Sequence, residues 1–460
     1  MYWIAAFGFA AALAAFSALF LSRQRRAASC ERDHEEALRE PNTAAVRWII
    51  VLAWAYSVIP PFLGLMALGR QGNKIGTLSV ITAMQGHVAV LLSVAIAVLC
   101  ARLIVLNLNA TPAKSAWRLA AFLLPWIAIE VVPGIGAGYS PGRQFLLYPL
   151  VGIALWLVSP SVRVISTLGV LALTTAAFSL VLGLVSPLGL VDAGPAGIDK
   201  NIIGSGSLLL AGPYNASNGL GLSLALGLAS ITCLRSARLR TLGFGLTWGA
   251  LLWTGSRTSI LAAAVVSGVY LLARGRSPRG LRVVGTAAIA GGIVLIASMP
   301  LQEMNPYAYT QRGAIWIASL STWHHHLWLG SGPEFYERPN DLGFYALYGH
   351  NLFVDTVARS GIVGVIGITV VIVTLVWSAS QLATVSSFPL LFTIAFIFSS
   401  ILEVPLALNN LNILGYATWI PFAVILFTSD GADLHSRVAL AARPVRAIVR
   451  TPATTGGGVT

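Results

Sequence analysis

Runs of about twenty apolar residues recur from one end of the chain to the other, and each is long enough to cross a bilayer as a helix. Nothing else in the sequence restricts the fold so severely. Lipid offers backbone groups no hydrogen-bond partner, so a spanning segment must pair its own amides and carbonyls, as a helix does. The alternating pattern of a membrane β-barrel is absent from the sequence. Only 10% of the 460 residues are charged and 56% are hydrophobic, against roughly 25% charged in a soluble domain. This excludes a soluble enzyme. The expected fold class is all-α, a polytopic transmembrane helical bundle.

The breaks between runs predict about thirteen spans, near 2–22, 47–69, 78–101, 118–136, 145–160, 164–187, 219–234, 241–255, 258–273, 283–299, 351–378, 387–406 and 411–428. Basic residues Arg23, Arg25 and Arg26 follow the first run instead of preceding it, the reverse of a signal peptide. A retained helix with its N-terminus outside is therefore expected. The net charge of +13 would point to nucleic acid in a soluble protein, but its distribution argues otherwise. The spans put 21 of the 29 basic residues inside and eight outside: Arg70, Lys74, Arg143, Lys200, Arg257, Arg312, Arg338 and Arg359. This positive-inside pattern sets orientation, and no nucleic-acid partner is implied. The three cysteines form no CxxC pair.

Three regions are expected: N-terminal helices over 1–207, a core over 208–430, and a basic, disordered cytoplasmic tail over 431–460. Two outer segments, about 186–218 and 300–350, are long. The second is too long for a mere connector. Within it, Ile315, Trp316, Leu320, Trp323 and Leu327 recur at helical spacing, which predicts an amphipathic interfacial helix.

Few residues here can carry chemistry. Sixteen residues separate Arg257 from Arg240, and sixteen separate it from Arg274. Each stretch reaches roughly 24 Å as helix, so the hairpin tip at Ser256, Arg257 and Thr258 sits at or below the outer headgroups. A guanidinium there suits phosphate, whether of a substrate or of lipid. Arg312 opens the interfacial helix, where a helix N-terminus and an arginine make either an anion site or a membrane anchor. His350, at the start of the eleventh span, is a usable general base or an idle interfacial histidine. Asp355 and Arg359 are spaced to pair on that helix. Glu130 and Glu403 lie near outer helix ends as structural partners for the arginines. His324, His325 and His326 point in different directions on a helix and cannot jointly hold one metal ion. In AGPYNASNGLG, Gly, Pro and Asn mark a tight turn into the seventh span.

Four pieces in order, AGPYNASNGLG, TGSRTS, QRGAIW followed by WLGSGPEFY, and GHNLFVDTVARSGIVG, resemble the O-antigen ligase and polymerase family of bacterial membrane glycosyltransferases. The likeness runs from about Leu208 to Gly364; earlier helices match only in hydrophobic character. Ligases of this kind usually have one span fewer than is counted here, which bears on the N-terminal topology. The resemblance implies a metal-independent, inverting transfer without a cofactor. The donor would be a polyprenyl-diphosphate-linked glycan and the acceptor a glycan, lipid or protein hydroxyl, at the outer face of the bacterial plasma membrane. The family's essential arginines fall on Arg257 and Arg312, implying a diphosphate clamp, and its essential histidine on His350, implying the base. Arg338 and Arg143 are secondary candidates.

Two other classes compete. A transporter or flippase of lipid-linked glycans needs polar groups at the midplane, often in repeated halves. Only Gln85 and His87 resemble such machinery, and the sequence has no internal repeat. A membrane scaffold would leave the long outer segment without a purpose.

Overall fold

The computed structural model describes residues 34–72, 74–75, 78–79, 82–108, 115–139, 144–193, 200–203, 206–273, 278–337, 348–408 and 414–428. The first apolar run with its basic cluster, the tail, Arg143 and Arg338 lie outside the described residues.

Each of the other twelve apolar runs coincides with helix. In chain order these are α1 (His34–Gly72), α2 (Ala83–Leu106), α3 (Ala116–Ala137), α4 (Leu147–Val158), α5 (Ile165–Val185) and α6 (Ser217–Ile231). They continue with α7 (Ala237–Thr254), α8 (Arg257–Ala273), α9 (Pro278–Gln302), α11 (Leu352–Leu382), α12 (Phe388–Ser399) and α13 (Gly415–Phe427). Between α9 and α11 lies α10 (Ala308–His325). Short hairpins pair β1 (Lys74–Ile75) with β2 (Leu78–Ser79), and β3 (Leu190–Asp192) with β4 (Leu208–Leu210). Six helices are long and apolar enough to cross a membrane unaided: Asn42–Arg70, Ala83–Leu106, Ala116–Ala137, Val162–Val185, Pro278–Gln302 and Leu352–Leu382. The protein is a mostly helical, multi-pass membrane protein.

Length and burial sort these helices. Every residue of α12 and of α13 is buried. Twelve residues rise only about 18 Å, so these short rods form the centre of the bundle, as helices apolar all round should. Phe396 and Phe422 lock them edge to face, with ring centroids 4.9 Å apart. By contrast, α2 exposes Val90, Leu91, Val94 and Val98, and α9 exposes Val283 and Val294. A lipid-facing perimeter accounts for that exposure. Thr82 starts α2 by accepting the Gln85 amide, later than the run at 78 predicts. Gln85 and His87 thus fall in its first two turns, near one end of the helix and not at its middle.

The hairpin at 240–274 is as expected: α7 and α8 are joined by Gly255 and Ser256, with Arg257 the first residue of α8. The 300–350 segment is less expected. α11 breaks at Gly361, whose φ is 57°. Residues 327–332 occupy the break through main-chain bonds. Ile362 and Val363 amides donate to the Leu327 and Trp328 carbonyls, and Ser331 and Gly332 amides donate to those of Ala358 and Arg359. A Cβ on Gly330 would lie 2.4 Å from the Ser360 nitrogen, and one on Gly361 2.5 Å from the Leu327 oxygen. The close approach explains the glycines of WLGSGPEFY and ARSGIVG. The start of the apolar stripe of α10 is turned inward, while Leu327 at its end is exposed. Trp316 is buried, and Ile315 and Ala318 pack against Phe335, Tyr336 and Ala358.

Candidate functional site

The elements meet at one end of the bundle, around Glu403. This residue lies just past α12, on a turn strapped to the start of α11. The Leu352 amide donates to the Ser400 carbonyl at 3.1 Å, and Asn351 Nδ2 donates to the carbonyls of Ile401 (2.8 Å) and Ile296 (3.0 Å). Asn351 Oδ1 also accepts the Val354 amide and so caps α11. The Glu403 side chain is 1% exposed. A carboxylate so buried must be paired or it will not ionise.

Four side chains from three other segments meet that need. Arg312 donates Nη2 to Glu403 Oε1 and Nη1 to the Leu402 carbonyl. Asn218 Nδ2, in the first turn of α6, donates to Oε1 at 3.2 Å. Tyr348 donates its hydroxyl to Oε2 at 2.8 Å. His350 Nδ1 lies 3.5 Å from Oε2, an electrostatic contact without the alignment of a hydrogen bond, and Nδ1 has no nearer partner. Burial alone would raise the Glu403 carboxyl. His350, the Arg312 charge and the Tyr348 hydroxyl outweigh it, and the carboxyl is held below its ordinary value.

His350 is fixed from several sides. The Tyr348 ring packs on the imidazole with centroids 4.2 Å apart. The preceding Gly349 is held by its carbonyl, which accepts Trp316 Nε1 at 3.0 Å, and by its amide, which donates to Asp355 Oδ1 at 2.9 Å. Asp355 pairs with Arg359, as their spacing predicts, and Arg359 Nη2 reaches Glu130 Oε1 at 2.8 Å. Glu130 sits in a π turn, Ile127–Val131, inside α3. Both acids named as partners for arginines have that role: Glu130 for Arg359 and Glu403 for Arg312. Within this frame His350 has a φ of 49°, left-handed backbone that costs a non-glycine residue roughly 1–2 kcal/mol. Such cost is met by surrounding structure and gathers at functional positions.

Beside this cluster lies an open cavity of about 650 Å³ lined by Lys200, Asn218, Tyr307, Gln311, Arg312 and His350, among others. Tyr309, Thr310 and Gln311 all have positive φ, so the regular part of α10 begins at Arg312. Arg257 likewise begins α8. A cation at a helix N-terminus adds to the positive end of the helix dipole, an arrangement that favours an anion. Lys200 links the two arginines. Gly255, with φ 61°, sits so close that a Cβ would lie 2.6 Å from the Lys200 carbonyl oxygen. Burial chiefly, then the Arg312 and Arg257 charges, pull the Lys200 amine below its ordinary value, against a smaller opposing pull from Glu403. Lys200 entered the sequence reading only as one of eight outer basic residues; nothing in its local sequence marks it. His324, His325 and His326 are exposed at the far end of α10. No group of three or more His, Cys, Asp or Glu among the described residues is placed to hold a metal ion.

A helical multi-pass membrane protein with a cationic cavity beside a buried acid and a histidine is the class that fold and site define. Residues 242–369 match the family model described as O-Antigen ligase, so this stretch of the chain is similar to that family. The matched stretch runs from α7 into α11 and includes Arg257, Arg312 and His350. It begins after AGPYNASNGLG and ends before Glu403, so Lys200, Asn218 and Glu403 lie outside it. No curated protein matches the chain.

Proposed function

We propose that the protein transfers a glycan from a polyprenyl-diphosphate carrier to an acceptor hydroxyl, as a cell-surface polysaccharide ligase or polymerase of the bacterial plasma membrane, with its cavity facing outward. The observation that carries this reading is the joining of His350 and Arg312 through Glu403 at the wall of one cavity. In the proposed reaction the acceptor oxygen attacks the anomeric carbon from the face opposite the diphosphate. The carbon–oxygen bond to the diphosphate breaks, its electron pair leaves with the diphosphate, and the configuration inverts. His350 takes the acceptor proton. With Nδ1 turned to Glu403, its proton belongs on Nδ1 and the lone pair on Nε2. Arg257 and Arg312 stabilise the charge that grows on the leaving diphosphate, without a metal ion. Because both arms of Arg312 already hold the Glu403 turn, it acts there as a fixed charge.

The test is reconstitution in vesicles with a polyprenyl-diphosphate-linked glycan, a hydroxyl acceptor and a chelator. The expected result is an inverted glycosidic linkage and free polyprenyl diphosphate. Movement of intact carrier across the bilayer without bond cleavage would instead make the protein a flippase. Activity lost in chelator and restored by a divalent cation would overturn the metal-free chemistry.

A further inference from the structure

Arg312 cannot by itself supply the positive charge the cavity offers, because its guanidinium is committed to Glu403 and the Leu402 carbonyl. Lys200 is placed differently. It lines the same cavity and is half-buried, and no hydrogen bond or ion pair to a described residue engages its ammonium. Its position is not that of a loose surface lysine. The Lys200 backbone lies against the α7–α8 tip, where Gly255 leaves no space for a Cβ between them. Leu209 of β4 packs on the same glycine. The lysine is thus pinned beside Arg257 and opens into the space bounded by Arg312. Burial is the main reason the Lys200 amine is lowered, and repulsion from Arg312 and Arg257 adds to it. A dianionic or trianionic ligand relieves that repulsion.

We infer that Lys200 is a third diphosphate-binding cation, completing with Arg257 and Arg312 a site that recognises a diphosphate over a single phosphate. The inference rests on the proposed function and extends it. Arg312 and Lys200 face one cavity from different segments, an arrangement suited to two linked phosphates. Lys200 is a point charge with rotatable donors, suited to a group whose charge grows as the glycan leaves.

The test uses the full chain in detergent, with inorganic pyrophosphate and inorganic phosphate as probes in calorimetry. Wild type should bind pyrophosphate more tightly than phosphate. Lys200→Gln should weaken pyrophosphate binding roughly ten- to a hundredfold, the worth of one charged hydrogen bond, and change phosphate binding far less. Lys200→Arg should restore most of the preference. The side chain is half-exposed, so the glutamine variant should fold, which thermal unfolding checks. Pyrophosphate affinity unchanged in Lys200→Gln, while Arg257→Ala loses it, would overturn the inference and leave the diphosphate reading standing. Equal losses for both anions would remove the selectivity role and overturn the inference as stated. Failure of wild type to bind pyrophosphate would overturn the cavity assignment, and the inference with it.

Discussion

His350 stands in left-handed backbone, between the Tyr348 ring and the Glu403 carboxylate. His350→Ala should slow glycan transfer by roughly 10²–10⁴-fold, the usual worth of a general base, and leave donor binding nearly intact. Near-normal turnover would remove the base assignment. The arginines should fail differently. Lys in place of Arg257 or Arg312 loses the guanidinium fork and should restore donor use poorly. Arg257→Ala should weaken donor binding in a folded protein. Arg312→Ala should also lower thermal stability, because it strips a buried carboxylate of its main partner. Unchanged donor binding and turnover in both variants would eliminate the clamp. Glu403 adds a pH signature. Its carboxyl is held below the ordinary value in the folded protein. The stability it confers is therefore present above the unfolded value, about 4.3, and is lost as pH falls through the lowered one. Thermal unfolding of wild type should show that acid limb and Glu403→Gln should lack it; identical profiles would refute the pairing.

Among the elements, the break in α11 is the most exacting. Ala at Gly330 or Gly361 forces a Cβ into backbone, and Gly361 also has positive φ. Either substitution should cost about 2 kcal/mol or more, read as a fall in the melting temperature in detergent. Gly291→Ala in α9 meets open space and should be neutral or stabilising by up to about 1 kcal/mol. A harmless Gly361→Ala would mean that the splice is not held as described. Elements of this kind were unevenly legible. Long apolar runs announced the helices because lipid allows little else. The tip at Arg257 followed from counting residues between basic neighbours. The splice did not follow from the sequence, because main-chain bonds between 327–332 and 358–363 leave no periodic trace, only glycines with several possible meanings. Glu403 was legible as a partner for an arginine. Its contact with His350 was not, since it joins segments more than fifty residues apart.

For the molecule as a whole, helix alternation sends Arg70, Lys200, Arg257, Arg312 and Arg359 to the end of the bundle that carries the site, and Arg118, Arg163, Arg238 and Arg279 to the other. The positive-inside rule predicts from this that the cavity faces outward. In intact cells, an impermeant thiol reagent should label cysteines placed at exposed Tyr307 or Trp328 and spare those at Arg238 or Arg279. The opposite pattern would invert the orientation. The splice has a last consequence, for change over time. Because the loop after α10 is joined to α11 at 327–332 through main-chain atoms and a few glycines, the outward side chains of that loop are free to be exchanged. A new recognition surface at the rim of the cavity could arise by drift or design without disturbing the histidine beneath it.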